Sequence, residues 1–262
     1  PFHMWTPDVY QGAPAPVTGF LAAAVKVAVF AFVMRWLMMA QGEYLNGLLL
    51  GLTLMAVLSM IMGNLLALRQ SNLKRLLGYS SIAHMGYLIV TLAATAPDGA
   101  AALSTALEGA AIYLITYACM TMLAFAVISQ LAAKDRRFES GTLIDYEGLL
   151  FQQPLLAGSL ILAMLALAGM PLTAGFIGKY YLVLVAVDSQ LWMLLGLLVL
   201  GSSLGLYYYL RVILVLCKPP VSDHHWVLGT NEKLLLMLLM LATLWLGIYP
   251  TPLIEWVQFA IA

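Results

Sequence analysis

Long apolar runs dominate this chain. Seven stretches carry few polar residues over lengths that suit a bilayer, near 16–39, 46–68, 75–96, 102–133, 154–187, 191–217 and 233–249. Spanning the hydrocarbon core takes about 20 apolar residues in a helix. The runs are far longer than barrel strands, and lipid offers no partner for an unpaired backbone group, so each run predicts a helix. The expected fold class is therefore all-α, a polytopic transmembrane helix bundle forming one domain over 1–262. The fifth run is too long for a single crossing, since one helix over 154–187 would measure about 50 Å against a core of about 30 Å. Its middle holds Gly169, Pro171, Gly175 and Gly178. These residues predict an unwound break near 169–178 between two half-helices.

The polar connections alternate in character. Those after the second, fourth and sixth runs hold Arg69, Lys74 and Arg75, then Lys134, Arg136 and Arg137, then Lys218, with Lys233 opening the last run. The opposite connections hold Gln41, Glu43, Asp98 and Asp188 without Lys or Arg. By the positive-inside rule the basic set faces the cytoplasm and the C-terminus faces outward. The stretch Lys134–Gln153 reads equally as an interfacial amphipathic helix or a solvated loop. Pro1, Pro7, Pro14 and Pro16 crowd an irregular start, which points to an earlier helix ending at residue 1 and to a missing true N-terminus.

Composition changes the picture in one respect: it fixes the solvent. Hydrophobic residues make up 63% of the chain and charged residues 9%, with a mean hydropathy of +0.95. A soluble domain carries about 25% charged residues, so lipid must cover much of this one. The net charge is zero, and nothing points to nucleic acid. Cys119 and Cys217 lie inside apolar runs and read as inert thiols. No metal-ligand spacing, phosphate-binding glycine loop or nucleophile with a base is visible.

Three titratable residues stand where charge is expensive. Lys26 lies about ten residues, ~15 Å, into the first span. An ammonium at mid-depth costs at least ~2.5–3.5 kcal/mol, and snorkelling serves a lysine near a helix end rather than one halfway along. Either it pairs structurally with a buried acid or it carries protons. Lys179 follows the break in the fifth span, and broken helices recur at ion sites in transporters; the alternative is a plain proline kink with Lys179 snorkelling outward. His84 lies at mid-depth in the third span, as a satisfied core residue or as a proton relay. Ser80, Ser81, Tyr87, Tyr113 and Tyr117 add hydroxyls nearby that can hold ordered water. Glu108 and Arg35 suit interface or pairing roles. Asn64, Arg69, Lys74 and Arg75 surround a turn whose orientation explains them, and Asp188 and Glu255 read as solvated.

Three motifs carry a family resemblance. The first is Pro1–Phe20, with Pro1, Phe2, His3, Met4 and Trp5 followed by Thr6, Pro7, Asp8, Val9 and Tyr10. The second is Leu73–Tyr87, including Lys74, Arg75, Gly78, Tyr79, Ser80, Ser81 and His84. The third is Leu167–Lys179. Together they resemble the antiporter-like subunits of respiratory complex I, bacterial NADH:quinone oxidoreductase, and most of all the N-subunit type. The resemblance implies two inverted repeats with a proton route along the bilayer midplane, of which this chain holds most of the second repeat. It places Lys26 on the family's central connecting lysine, His84 on its mid-membrane histidine and Lys179 on the lysine of the second broken helix. The glutamate–lysine pair of the family's first repeat has no match here. Related antiporter subunits carry extra His and Lys in the helix corresponding to 102–133, where this chain has Tyr113, Thr116 and Tyr117.

The resemblance implies a multi-pass protein of the bacterial inner membrane whose partners are lipid and the other membrane subunits of complex I. Its work is proton translocation, with no cofactor in this chain. NADH, FMN, iron–sulfur clusters and quinone belong to other subunits. Two other readings remain open: a subunit of a multisubunit cation/proton antiporter, and a scaffold that transports nothing.

Overall fold

A computed structural model describes residues 3–39, 44–94, 100–220 and 228–261. Their regular structure is helical: α1 (Thr6–Gly12), α2 (Ala15–Met39), α3 (Tyr44–Leu68), α4 (Leu73–Ala93), α5 (Ala100–Lys134), α6 (Arg137–Ser140), α7 (Leu149–Gln152), α8 (Pro154–Ala168), α9 (Ala174–Asp188), α10 (Trp192–Leu216), α11 (Thr230–Ile248) and α12 (Thr251–Ile261). Among the described residues, six helices are long and apolar enough to cross a membrane, namely α2, α3, α4, α5, α10 and α11. Helices α8 and α9, 15 residues each, divide the fifth run between them.

Exposure is arranged as lipid requires. Phe32, Leu200, Leu214 and Leu241 on the outer helices are exposed apolar side chains. Helix α4 is the reverse, buried along nearly its whole length. A helix apolar on every side is buried by protein or lipid, but α4 also carries Lys74, Ser80, Ser81, His84, Tyr87 and Thr91, all buried. Polar groups removed from water need partners, so the helices around α4 must supply them.

One end of the bundle gathers the basic connections. Asn72 caps α4 by accepting from the Arg75 N–H at 3.0 Å, and forms an isolated bridge with Thr142. Leu143 N–H donates to the Ser71 carbonyl at 2.8 Å. Lys218 pairs with Glu147 at 2.8 Å and Lys134 with Glu232 at 3.2 Å. The stretch predicted as one amphipathic helix or a loop is instead α6, a 3₁₀ turn over Leu143–Tyr146, and α7. Helix α1 is tied to the same end by Arg75, which pairs with Asp8 at 2.7 Å, and by Lys74, whose Nζ donates to the Ala13 carbonyl at 3.1 Å. Lys74 is therefore a buried cap at the end of α1, where a cation meets the negative end of the helix dipole. It is more than an orientation signal. Gln41, Glu43 and Asp98 of the opposite connections lie outside the described residues.

With its basic loops together, this end is the one expected to face the cytoplasm by the positive-inside rule. A single cysteine at position 136 in an otherwise cysteine-free chain is expected to resist an impermeant thiol reagent added outside sealed cells, and to react after permeabilisation. Labelling in sealed cells would reverse the orientation.

Helix α12 has no counterpart in the seven predicted spans. At 11 residues it is too short to cross a bilayer. It packs by Leu253 and Val257 against the N-terminal half of α5, near Ile112 and Ile115.

Candidate functional site

The break between α8 and α9 occupies the first half of the predicted window. Helix α8 ends at Ala168, where Gly169 takes φ +84° and its N–H donates to the Leu165 and Ala166 carbonyls. Only glycine adopts that left-handed conformation without steric penalty, which makes it a common helix stop. Leu172 also has positive φ, at 69°, and the chain resumes as α9 at Ala174. Gly175 and Gly178, expected in the unwound part, are helical. They serve close approach instead: a Cβ on Gly178 would lie 2.5 Å from Thr116 Oγ1.

Lys179 points into the break. It is 8% exposed, and its Nζ donates to the Ala168 carbonyl at 2.7 Å, at the buried C-terminal end of α8, where carbonyls lack a partner within the helix. Its aliphatic chain lies over Gly169, where a Cβ would meet Cδ at 2.7 Å. This is the opposite of outward snorkelling. The ammonium also stands 5.9 Å from the centre of the Tyr87 ring, at the outer edge of cation–π range.

Lys26 sits half-buried on α2. Its Nζ donates to the Tyr117 hydroxyl at 3.0 Å and stands 5.1 Å and 5.7 Å from the ring centres of Tyr117 and Tyr10. Among the described residues, neither Lys26 nor Lys179 forms an ion pair with a carboxylate. The buried acid that a structural pairing of Lys26 calls for is not found among them. A cavity of about 340 Å³ opens beside Lys26, lined also by His3, Tyr10, Met55 and Ser81. Most of its lining is apolar, with Val25, Val29, Phe30, Met85 and Ile89, so water there would need the few polar groups beside Lys26.

His84 stands between the two lysines. It is 1% exposed, with Nδ1 2.6 Å from the Tyr113 hydroxyl and Nε2 3.1 Å from the Tyr209 hydroxyl. Ser81, on the same helix, hydrogen-bonds the Tyr117 hydroxyl at 2.7 Å. Lys26–Tyr117–Ser81 thus joins α2, α5 and α4, and Tyr113–His84–Tyr209 joins α5, α4 and α10. The two strings meet through rings: Tyr113 stacks on Tyr117 at 6.2 Å, and His84 lies 5.2 Å from Tyr117. Toward Lys179 the link is Tyr87, edge-on to His84 at 5.6 Å. No direct hydrogen bond connects any two of Lys26, His84 and Lys179. They share one core of hydroxyls and aromatic rings.

Against this geometry, the transmembrane family model described as NADH:quinone oxidoreductase/Mrp antiporter matches residues 1–205. The chain belongs to this family. Subunit N of NADH-quinone oxidoreductase from Ectopseudomonas mendocina (strain ymp) is 46% identical over 268 residues, which cover 99% of this chain and 52% of that protein. A chain of respiratory complex I from Thermus thermophilus with bound aureothin superposes with a TM-score of 0.80 at 36% identity, over 97% of this chain and 54% of that one. A chain of the membrane-bound sulfane sulfur reductase, an archaeal respiratory membrane complex, superposes with a TM-score of 0.88 at 27% identity, over 100% of this chain and 52% of that one. The chain spans about half the length of the curated relatives it matches.

For an antiporter-family chain, several residues of this core escaped notice in the sequence. Tyr208 and Tyr209 are each 1% exposed, whereas Tyr207 is 63% exposed. Three adjacent tyrosines on a helix cannot all face one way, and that spacing was the available signal. Asn64, assigned to a cytoplasmic turn, is fully buried. Its Nδ2 donates to the Met60 carbonyl at 2.7 Å and to the Tyr87 hydroxyl at 2.9 Å, and its Oδ1 accepts from the Tyr208 hydroxyl at 3.1 Å. His3, in the irregular start, hydrogen-bonds Ser59 at 3.2 Å. Among the described residues no group of three or more His, Cys, Asp or Glu is placed to hold a metal.

Proposed function

We propose that this chain is part of the N subunit of a bacterial NADH:quinone oxidoreductase, and that it moves protons along a row of buried groups at mid-membrane. The observation that carries the reading is the row itself: Lys26, His84 and Lys179, on three different helices, embedded in one core of tyrosine and serine hydroxyls. The names of the relatives support the assignment to subunit N. The partners are then the other membrane subunits of that complex, within the bacterial inner membrane. Flavin, iron–sulfur clusters and quinone chemistry belong to those other subunits.

In this account Lys26 and Lys179 alternate between ammonium and amine, and His84 between imidazolium and imidazole. Each ammonium is held by neutral partners, a hydroxyl or a helix-end carbonyl, without a carboxylate to lock the charge. Such a site stabilises the cation modestly, and burial opposes it. That balance lets a group both take and release a proton. Water held by the hydroxyls of the core would complete the connections that rings leave open. The redox reaction reaches these residues as a coupling free energy from neighbouring subunits.

The test uses the full-length subunit in assembled enzyme, reconstituted into liposomes. His84→Gln is expected to slow NADH-driven proton pumping about tenfold, less than the about hundredfold of a lost proton-transfer group, because the amide still holds water along the row. Glutamine still bonds hydroxyls and water but takes up no proton at physiological pH. Pumping at the parental rate in an assembled His84→Gln enzyme contradicts the histidine's role. A sodium requirement for pumping would favour a cation/proton antiporter instead.

A further inference from the structure

We infer that Asn64 is a positioning residue for the step between His84 and Lys179: its buried amide fixes the Tyr87 ring, which both of those residues approach. The inference rests on the relay reading above and names what sets the geometry of one of its steps.

His84 meets the Tyr87 ring edge-on at 5.6 Å between centres, and the Lys179 ammonium stands 5.9 Å from the same centre. No direct hydrogen bond joins His84 to Lys179. The place of this ring therefore sets how closely the two groups approach and what room is left for a bridging water.

Asn64 lies on α3, is 0% exposed and touches neither group of the step. Its amide offers two N–H donors and a carbonyl, and all three are in use. Nδ2 donates to the Met60 carbonyl at 2.7 Å and to the Tyr87 hydroxyl at 2.9 Å, and Oδ1 accepts from the Tyr208 hydroxyl at 3.1 Å. The Met60 carbonyl only accepts, which fixes the end of the amide that is nitrogen. Tyr87 on α4 and Tyr208 on α10 are thus pinned from α3 by one planar group. Tyr208 in turn packs on Tyr209 at 4.6 Å between ring centres, and the Tyr209 hydroxyl is 3.1 Å from His84 Nε2. The amide bears on His84 through two tyrosines. Other side chains of this size cannot do the same. Aspartate has no N–H, leucine has no polar atom, and threonine has a single hydrogen to donate.

Helix α10 makes room for the arrangement at Gly201. A Cβ there would lie 2.6 Å from the Tyr87 hydroxyl oxygen and 2.8 Å from Asn64 Nδ2. Both obstacles are side-chain ends that can move aside. Alanine at this position would push the hydroxyl and the amide apart without deleting either. A buried amide also stabilises a fold, since its loss leaves hydroxyls unpaired. The two roles separate, because stability asks only that no polar group be left without a partner, whereas positioning asks that the Tyr87 ring stay where it is.

The experiment measures NADH-driven pumping, assembly and melting temperature for the full-length subunit in reconstituted enzyme. Gly201→Ala and Tyr87→Phe are each expected to slow pumping about tenfold, inside the about hundredfold that a 1 Å misplacement can cost. Together they should be no slower than Tyr87→Phe alone, because both act on one hydroxyl. The triple variant Asn64→Leu, Tyr87→Phe, Tyr208→Phe removes the polar partners together and leaves none of the three unpaired. It is expected to assemble and melt as the parental enzyme does and still to pump slowly, because nothing tethers the ring. Parental pumping by the triple variant means that Asn64 serves stability alone and overturns the proposal. Parental pumping by assembled Gly201→Ala overturns it as well, and so does full additivity of Gly201→Ala with Tyr87→Phe. Parental pumping by Lys179→Arg sinks the relay reading itself; where Lys179 proves necessary, the outcomes above bear on Asn64 alone.

Discussion

Replacing Gly175 with alanine is expected to prevent incorporation of the full-length subunit into its complex. A Cβ at this position would run into the Ala166 carbonyl oxygen and lie 2.7 Å from its carbonyl carbon. Both obstacles are backbone of α8 and cannot rotate away as a flexible side chain would. Met120 Sδ, 3.1 Å from the same point, closes the third side. Overpacking against movable side chains costs about 1–3 kcal/mol; here α8 and α9 must separate, and with them the break that seats Lys179. The whole stability of a domain is only about 5–15 kcal/mol. Native gel electrophoresis of membranes carrying Gly175→Ala should show little assembled complex. Full assembly with an unchanged melting temperature would mean that the half-helices do not meet as described.

Lys179 supplies the second large effect, this time on function rather than assembly. Lys179→Arg is expected to lower proton pumping by about a hundredfold or more, the range of a lost proton-transfer group, while the complex still assembles. Arginine keeps a cation at the C-terminal end of α8, where the helix dipole favours one, so the Ala168 carbonyl retains a charged donor. What it loses is the ability to release a proton at any working pH. Lys179→Ala is expected to be similarly inactive and also to assemble. With no carboxylate paired to Lys179 among the described residues, removing the ammonium orphans no buried charge. The pair of variants separates two roles. A structural cation tolerates arginine and fails with alanine; a proton carrier fails with both. Parental pumping by Lys179→Arg contradicts the carrier role.

What could be read in the sequence follows from which forces are local. The spans were legible because a crossing needs only length and hydropathy, and α2, α3, α4, α5, α10 and α11 satisfy that criterion residue by residue. The break was legible from Gly169 and Pro171, two residues with intrinsic backbone preferences. Its extent was not, because Gly175 and Gly178 are glycines for the sake of neighbours, Ala166 and Thr116, that only the folded bundle brings near. Lys26, His84 and Lys179 stood out because depth along a helix follows from a constant rise per residue. Their partners did not stand out. Which of three adjacent tyrosines faces His84 depends on the rotation of α10, for which Gly201 and Gly205 on its buried face are the main sequence clue. Asn64 looked like a turn residue from its nearness to Arg69. It is buried because α10 lays Tyr208 across it. Helix α12 and the short helices at the basic end fall below the length at which periodicity discriminates.

The central claim is that the buried amines give up protons during turnover instead of serving as fixed charges. Lys26 tests it most directly, since it is the lysine most in need of a structural explanation and its partner is the Tyr117 hydroxyl rather than an acid. The measurement is the number of protons pumped per NADH oxidised by liposomes holding the assembled Lys26→Arg enzyme, with turnover and subunit content checked in the same preparation. The account predicts a clear fall in that number, or turnover that stalls together with pumping, because a permanently charged guanidinium blocks the row at its first member. An assembled Lys26→Arg enzyme that turns over and pumps at the parental ratio would contradict it.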